Sequence, residues 1–529
     1  MNKELFEIDK LFKSNNFDEV ISKTKKLIKK GNFFAPYFNL LGLSLDKLGK
    51  SYQAEKIFLD AINKNSRETS FYSNLAHILI NQNKLNDVEK YLKKSLDINE
   101  KDIFSLYEYG RLERLNKNFK SALNFFEQAY KINPKFPNAL FMIGKTYVDI
   151  FQETNESKYL EKAKETLLKC SNLFPENLDA DYILSEIYNY SKEKYHQKIM
   201  LRKIENNKFI NKNQKSIIYF SLAKSFEDQK KYDQASEFLK IANKELDLTI
   251  NRDVVLNLKK KFENIKFLFD KIINIKDLND NNLFQKKIIF ILGMPRSGTT
   301  LVHQLIASSK DTEGLGESDI VPKYFDNNIF KKEFLDRIFF KKKFNKDYLI
   351  EMSKIIGERF NSVQSSKKNI IIDKNPSNFF WLGFIKLMFP NAKIIHTKRN
   401  LKDTCLSIYK NKFGSDEMDW AYDPEKIMSY VKIYLSMMSY WKKKYNNLIY
   451  EIDYEKLISN KSDETKKLFS FCDLDWSEKI FDFYKTGKTI RTASIYQVKK
   501  PIYNSSLNIN KNFSKYLPFL NKIDSINID

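Results

Sequence analysis

Small and apolar residues return every 34 positions through the first half of the chain. That period restricts the fold more than any other feature. Leu41, Gly42, Leu45, Ala54, Phe58 and Ala61 set the register. One step reaches Leu75, Ala76, Leu79, Val88, Leu92 and Ser95. The next reaches Tyr109, Gly110, Glu113, Ala122, Phe126 and Ala129, closed by Pro134. A third finds Ile143, Gly144 and Tyr147. The second half of that unit then slips by seven residues, through an insertion around Glu153 to Lys158, to Ala163, Leu167, Cys170 and Pro175. Stepping back from Ala54 finds Val20, Thr24 and Leu27. A late unit shows Leu222, Ala223, Phe226, Ala235, Leu239 and Ala242. A unit this short cannot bury its apolar face alone, so helix pairs must stack. Small residues let the helices of a pair approach, and large ones fill the groove to the next pair.

The pattern resembles tetratricopeptide repeats over residues 1–250, with a degenerate patch around Tyr188 to Ile210. The resemblance implies an α-solenoid, a superhelix whose concave face recognises a peptide or protein partner. A rigid spacer or dimerisation element is the plainer alternative. His77 and His196 read as ordinary helix residues. Residues 251–284 are helical and charged, end in the polar stretch Asp277 to Asn282, and read as a linker.

From residue 285 the pattern changes. Short β-branched runs (Ile288–Leu292, Asn369–Ile372, Ala392–His396 and Leu448–Ile452) alternate with helical stretches. The alternation predicts an α/β domain over 285–529, P-loop-like, with a central parallel sheet. Ligands of such sheets sit at the carboxyl ends of the strands. The first strand runs into Gly293-Met-Pro-Arg-Ser-Gly298-Thr299-Thr300 and then a helix, a corner that aims backbone N–H groups and a helix N-terminus at an anion. The glycine spacing matches the triphosphate-binding loop, but Thr299 holds the lysine position. Arg296 supplies a planar fork instead, suited to one tetrahedral oxyanion. A nucleotide kinase or NTPase is opposed on this ground, and a plain tight turn is the bland alternative. Two more strands end in cations: Asp373-Lys374-Asn375-Pro376 and Thr397-Lys398-Arg399. Ser407 lies eight residues after Arg399, about two turns into the next helix and so near the same side.

These motifs resemble the sulfotransferases that use 3′-phosphoadenosine 5′-phosphosulfate, in particular the protein-tyrosine sulfotransferase branch and its bacterial repeat-linked relatives. The resemblance implies that Arg296, Ser297, Gly298, Thr299 and Thr300 hold the 5′-phosphosulfate of that co-substrate, and that Arg399 and Ser407 bind its 3′-phosphate. Glu317, in GLGES at 314–318, takes the catalytic-base position. Lys374 takes that of the catalytic lysine. Ser494, in RTAS-x2-QV-x2-P at 491–501, matches a catalytic serine near the sulfate. Tyr454, in DYEKL, matches a tyrosine near the nucleotide. No metal is implied. Two departures stand out. Asn400-Leu401 follows Arg399 where Asp-Pro is common, and the segment after Tyr503 lacks the expected basic contact, for which Lys511 is a substitute. The implied reaction is sulfuryl transfer to a hydroxyl, with a protein or peptide tyrosine bound by the repeats as one such acceptor. The alternative is an interaction scaffold whose second domain binds nucleotide without turnover.

Composition narrows the field further. The 529 residues include 42% hydrophobic and 14% aromatic side chains, ample for large cores. The net charge of +24 suggests polyanions. Its lysines, however, are spread along the chain with abundant Asn and Ile, so nucleic-acid binding is not expected. Cys170, Cys405 and Cys472 have no zinc or disulfide spacing, and no membrane-length apolar run or leader occurs, so a cytoplasmic protein is expected. His303 reads as a packed helix residue, and His396 as a buried structural one.

Overall fold

The computed structural model describes the chain apart from residues 1–2, 32, 207–211, 251–252, 273–283, 285, 330, 332–345, 365–367, 415, 486–501, 503–506 and 528–529. It forms two compact units, Met1–Ile187 and Tyr188–Asp529. Among the described residues no helix is long and apolar enough to cross a membrane.

The first unit is a run of helical hairpins from Lys3–Lys13 to Leu178–Ile187. The phased small residues do what their size requires. A Cβ on Gly42 would lie 2.4 Å from the Phe58 ring, and one on Gly110 2.6 Å from that of Phe126. A Cβ on Gly144 would lie 2.6 Å from the Leu167 side chain. Glycine is thus the residue that lets these three hairpins close, and Ala54, Ala61, Ala122, Ala129 and Ala163 are fully buried. The seven-residue insertion lengthens one hairpin. Its helices, Pro137–Thr154 and Ser157–Leu173, have 18 and 17 residues, against 13 and 14 for Ile103–Leu115 and Phe119–Ile132. Asn155 closes the first long helix in a left-handed conformation, which asparagine tolerates better than most residues. His77 ties neighbouring hairpins together, its Nδ1 2.8 Å from Glu108 Oε1.

The second unit begins with helices. The late repeat-like pair, Lys212–Asp228 and Tyr232–Asp247, buries Leu222, Ala223, Ala235 and Ala242. The degenerate patch before it contains a buried hydrogen bond from Tyr190 to His196, 2.6 Å. Then comes a five-stranded, all-parallel sheet: β1 Lys287–Gly293, β2 Thr312–Gly314, β3 Ile370–Lys374, β4 Lys393–Lys398 and β5 Ile449–Asp453, in the order β2-β3-β1-β4-β5. Helices cover both faces, and Ile288 to Leu292 is buried throughout, as a central parallel strand requires. The fold is therefore a helical repeat region followed by an α/β domain with a parallel sheet. β2 is an addition to the expected strands. It has three residues, Thr-Glu-Gly, too short to show a β-branched run.

Register places the chemistry. Gly293 pairs with Thr397 of β4 and Ile291 with Lys374 of β3. The carboxyl end of β1 is thus flanked by both cationic strand ends. The strand order reverses beside β1, and the crevice there is where such sheets take ligands.

Candidate active site

The loop from Met294 to Gly298 turns sharply. Ser297 N–H donates to the Met294 carbonyl, 3.2 Å. Arg296 is left-handed at φ 67° and Gly298 at φ 99°. A non-glycine residue held there is strained, which is common where a loop is shaped for a ligand. A Cβ on Gly298 would also sit 2.5 Å from the Tyr454 ring, and one on Gly293 2.6 Å from the Thr397 carbonyl. Both glycines are therefore fixed by close approach. The helix Thr299–Ala307 starts at this point with Thr299 and Thr300 buried in its first turn. Alternating left-handed residues ahead of a helix form a concavity of N–H groups suited to an anion.

The structure brings the remaining motifs to this loop. Arg296 Nε donates to Ser407 Oγ, 3.0 Å, across 111 residues. Arg399 Nη1 donates to the Arg296 carbonyl, 3.1 Å, and its guanidinium lies 4.8 Å from the centre of the Tyr454 ring. Ser297 Oγ is 2.8 Å from Thr397 Oγ1. Asn400 caps the helix Leu401–Tyr409 by accepting from Asp403 N–H, 3.1 Å, so the departure at this position preserves the helix start. On the other side Lys374 Nζ pairs with Glu317 Oε1. Lys374 is 1% exposed and Glu317 42%. Burial lowers the Lys374 pKa, against the opposing pull of Glu317.

The Glu317 loop is pinned to the end of β3. Leu315 N–H donates to the Ile372 carbonyl, 3.0 Å, and Lys374 N–H to the Gly316 carbonyl, 3.1 Å. Asn375 Nδ2 donates to the Ser318 carbonyl, 2.7 Å. Asp373, fully buried beside Lys374, accepts from Asn378 Nδ2, 3.0 Å, and burial pushes its pKa up to about 7. Arg296, Gly298, Thr299, Thr300, Glu317, Arg399 and Tyr454 all line one cavity of about 930 Å³. That is ample for a nucleotide-sized group beside a second molecule.

Ser494 and the segment 491–501 lie outside the described residues, as do residues 503–506. Lys511 is exposed on the short helix Asn510–Phe513. What fixes that segment is Asp403. Its carboxylate accepts from Asn508 N–H, 2.8 Å, Asn510 N–H, 2.8 Å, and Asn510 Nδ2, 2.7 Å. The histidines fall into packing roles. His303 meets Gly314 so closely that a Cβ there would be 2.4 Å from its Nε2. Buried His396 lies between Glu451 Oε1, 2.9 Å, and the Tyr434 hydroxyl, 2.5 Å, and burial lowers its pKa.

Sequence reasoning missed Thr397, Asp373 and Asp403. The first follows from β1–β4 register and the last from a contact across more than 100 residues, so neither leaves a local signal. Asp373 stands next to the lysine motif, and its place at a strand end was the available clue.

Residues 289–478 match the sulfotransferase family, and residues 69–102 and 105–136 match the tetratricopeptide repeat. The chain thus carries a sulfotransferase-family domain preceded by tetratricopeptide repeats. An uncharacterised protein of Aquifex aeolicus (strain VF5) is 34% identical over 315 residues, 56% of this chain and 40% of that protein. Protein-tyrosine sulfotransferase A of Caenorhabditis elegans is 24% identical over 234 residues, 40% of this chain and 58% of that protein. The chain therefore spans between two fifths and three fifths of these relatives. The sulfotransferase domain of a Synechococcus PCC 7002 olefin synthase is 17% identical, covering 47% of this chain and 98% of that domain with a TM-score of 0.34.

Proposed function

We propose that the second unit transfers a sulfuryl group from 3′-phosphoadenosine 5′-phosphosulfate to an acceptor hydroxyl. The observation that carries this is the convergence of three strand ends around one cavity: Arg296, Gly298, Thr299 and Thr300 of the loop, Glu317 and Arg399 line it, with Lys374 paired to Glu317 and Ser407 bonded to Arg296 from outside the lining. The left-handed loop and its two close-approach glycines fit a tetrahedral anion held by backbone N–H groups. Tyr454, braced by Arg399, supplies a flat face beside the loop for a base.

The co-substrate supplies an activated sulfuryl group whose S–O bond to phosphate breaks as a new O–S bond forms to the acceptor. Each protein group then has one task. Glu317, more open than its partner, takes the acceptor proton. Lys374 leaves Glu317 to stabilise the electron pair that collects on the phosphate oxygen; donors preorganised for such charge are worth roughly 2.7–4 kcal/mol each in other enzymes. Arg296 and the loop amides hold the 5′ end, and Arg399 and Ser407 hold the 3′-phosphate, so that the reacting atoms lie in line. On this reading the repeats recruit the acceptor or a partner, and a tyrosine of a protein or peptide is one acceptor of the right chemistry.

Two measurements test it. Titration with 3′-phosphoadenosine 5′-phosphate and with ATP is expected to show tight binding of the first and weak binding of the second; the reverse order overturns the reading in favour of an NTPase. Incubation of a cell extract with the labelled donor, followed by mass spectrometry for added SO3, is expected to show transfer. Intact nucleotide binding without transfer makes the protein a scaffold.

A further inference from the structure

The pair Lys212–Asp228 and Tyr232–Asp247 reads in sequence as one more repeat, closed by Ala235 and Ala242. Its packing ties it to the helix that carries Ser407. Asn243, completely buried on the second helix, donates from its amide nitrogen to two carbonyls: that of Leu239 in its own helix, 2.8 Å, and that of Tyr409, 2.9 Å. Tyr409 ends the helix Leu401–Tyr409, where a carbonyl has no partner within the helix itself. One residue on, Lys410 pairs with Glu227 of the first helix. The Lys410 ammonium also stands 5.4 Å from the centre of the Phe513 ring, which meets the Tyr232 ring edge-on at 5.1 Å. Asp403, in the first turn of the same helix, holds the segment that leads to Phe513. The hairpin thus grips the carboxyl end of this helix directly and its amino end through Asn508–Phe513.

Resting on the sulfuryl-transfer reading, we infer that this hairpin belongs to the nucleotide site: Asn243 and Glu227 are positioning residues that set Ser407 for the 3′-phosphate. Ser407 lies within one turn of both fastened points, the Tyr409 carbonyl and Lys410. Its Oγ accepts from Arg296 Nε at 3.0 Å, so the clamp also reaches the anion loop. A helix of nine residues gains little stability by itself, and its last turn is the part that frays. Fastening that turn from outside fixes the hydroxyl before any ligand arrives, which lowers the ordering cost of binding. Leucine matches asparagine in size and has no donor, so Asn243→Leu leaves the Tyr409 carbonyl buried without this partner and loosens the turn. Neither Asn243 nor Glu227 lines the cavity, so both act through the helix and not on the ligand.

The test measures, by calorimetry on the full chain, affinity for 3′-phosphoadenosine 5′-phosphate and for adenosine 5′-phosphate, which lacks the 3′-phosphate. The wild type is expected to bind the first at least tenfold more tightly. Asn243→Leu is expected to cut that ratio at least fivefold and Glu227→Gln at least twofold, with adenosine 5′-phosphate affinity within twofold of wild type in both. A merely structural lesion lowers both affinities together and keeps the ratio. Glu227→Gln preserves side-chain size and carries the test if Asn243→Leu does not fold. In a Ser407→Ala background, where the hydroxyl is already gone, Asn243→Leu should change the ratio less than twofold. An unchanged ratio, a parallel fall of both affinities, or a full Asn243→Leu effect without Ser407 overturns the inference and leaves the catalytic reading standing. A wild type indifferent to the 3′-phosphate overturns both. A ratio that responds as expected in a protein that transfers no sulfate overturns the catalytic reading alone.

Discussion

Lys374 is ion-paired with Glu317, which lines the cleft; the lysine is buried and the glutamate open. On the proposed mechanism a bound substrate separates them. Lys374→Met and Glu317→Gln are expected to lower turnover by about 10²–10³ each, with affinity for 3′-phosphoadenosine 5′-phosphate within threefold of wild type. Because the two groups touch, the double variant should be less impaired than the product of the singles predicts. Full activity of Glu317→Gln in a sulfate-transfer assay removes the base assignment.

Arg399→Ala should show the opposite split. It removes a guanidinium that holds both the loop carbonyl and the Tyr454 ring, so nucleotide affinity is expected to fall at least tenfold, about 1.4 kcal/mol. Calorimetry decides, and unchanged affinity rejects the 3′-phosphate role.

Asp373 gives the protein a distinct pH response. Burial raises its carboxyl to about 7, so the folded state binds this proton more tightly than the unfolded chain, where the pKa is about 4. Its contribution is intact below pH 4 and is lost as pH rises to 7, at most about 4 kcal/mol. Asp373→Asn keeps an acceptor for Asn378 and lacks the titration. It should therefore gain stability relative to wild type across that window. All four tryptophans lie in the second unit, so urea midpoints from tryptophan fluorescence report it; a difference that does not vary with pH contradicts the prediction.

Asp403 holds the segment Asn508–Asn510 through three hydrogen bonds while itself buried. Asp403→Ala leaves those donors unmatched and should cost about 3 kcal/mol in the same fluorescence assay. Asp403→Asn, which retains one accepting oxygen, should cost less. Equal costs contradict this account.

In the repeats, Gly110→Ala drives a methyl into the Phe126 ring. A cost of about 1–3 kcal/mol is expected in helix melting by circular dichroism. Phe126→Leu in the same chain should recover part of it; an additive double variant rules out the proposed contact.

The local motifs were legible because their physics is local. Gly298 and Arg296 announce a tight anion loop, and Phe58 sixteen residues after Gly42 announces a helical hairpin. The strands showed themselves by β-branched runs, except β2, whose three residues carry none. What stayed hidden depends on pairing at a distance. Thr397 matters because it sits opposite Gly293 in register, and Asp403 because a late segment folds back to it. Val254, Asn257, Leu258 and Lys261 also line the cavity, but they mix apolar, polar and charged types, so periodicity alone reads them as surface. Ser494 lies outside the described residues, and its role rests on resemblance.

The slipped repeat shows where the first unit accepts change. Gly144 still closes on Leu167 although seven more residues separate them than in the pairs Gly42–Phe58 and Gly110–Phe126. Extra length was taken up beyond that contact, as added turns on both helices toward the bend at Asn155–Glu156, so the stacking surfaces stayed in phase. That bend is consequently a natural grafting point: a fluorophore, tag or foreign loop attached there travels outward on its own stalk and leaves neighbouring hairpins in contact.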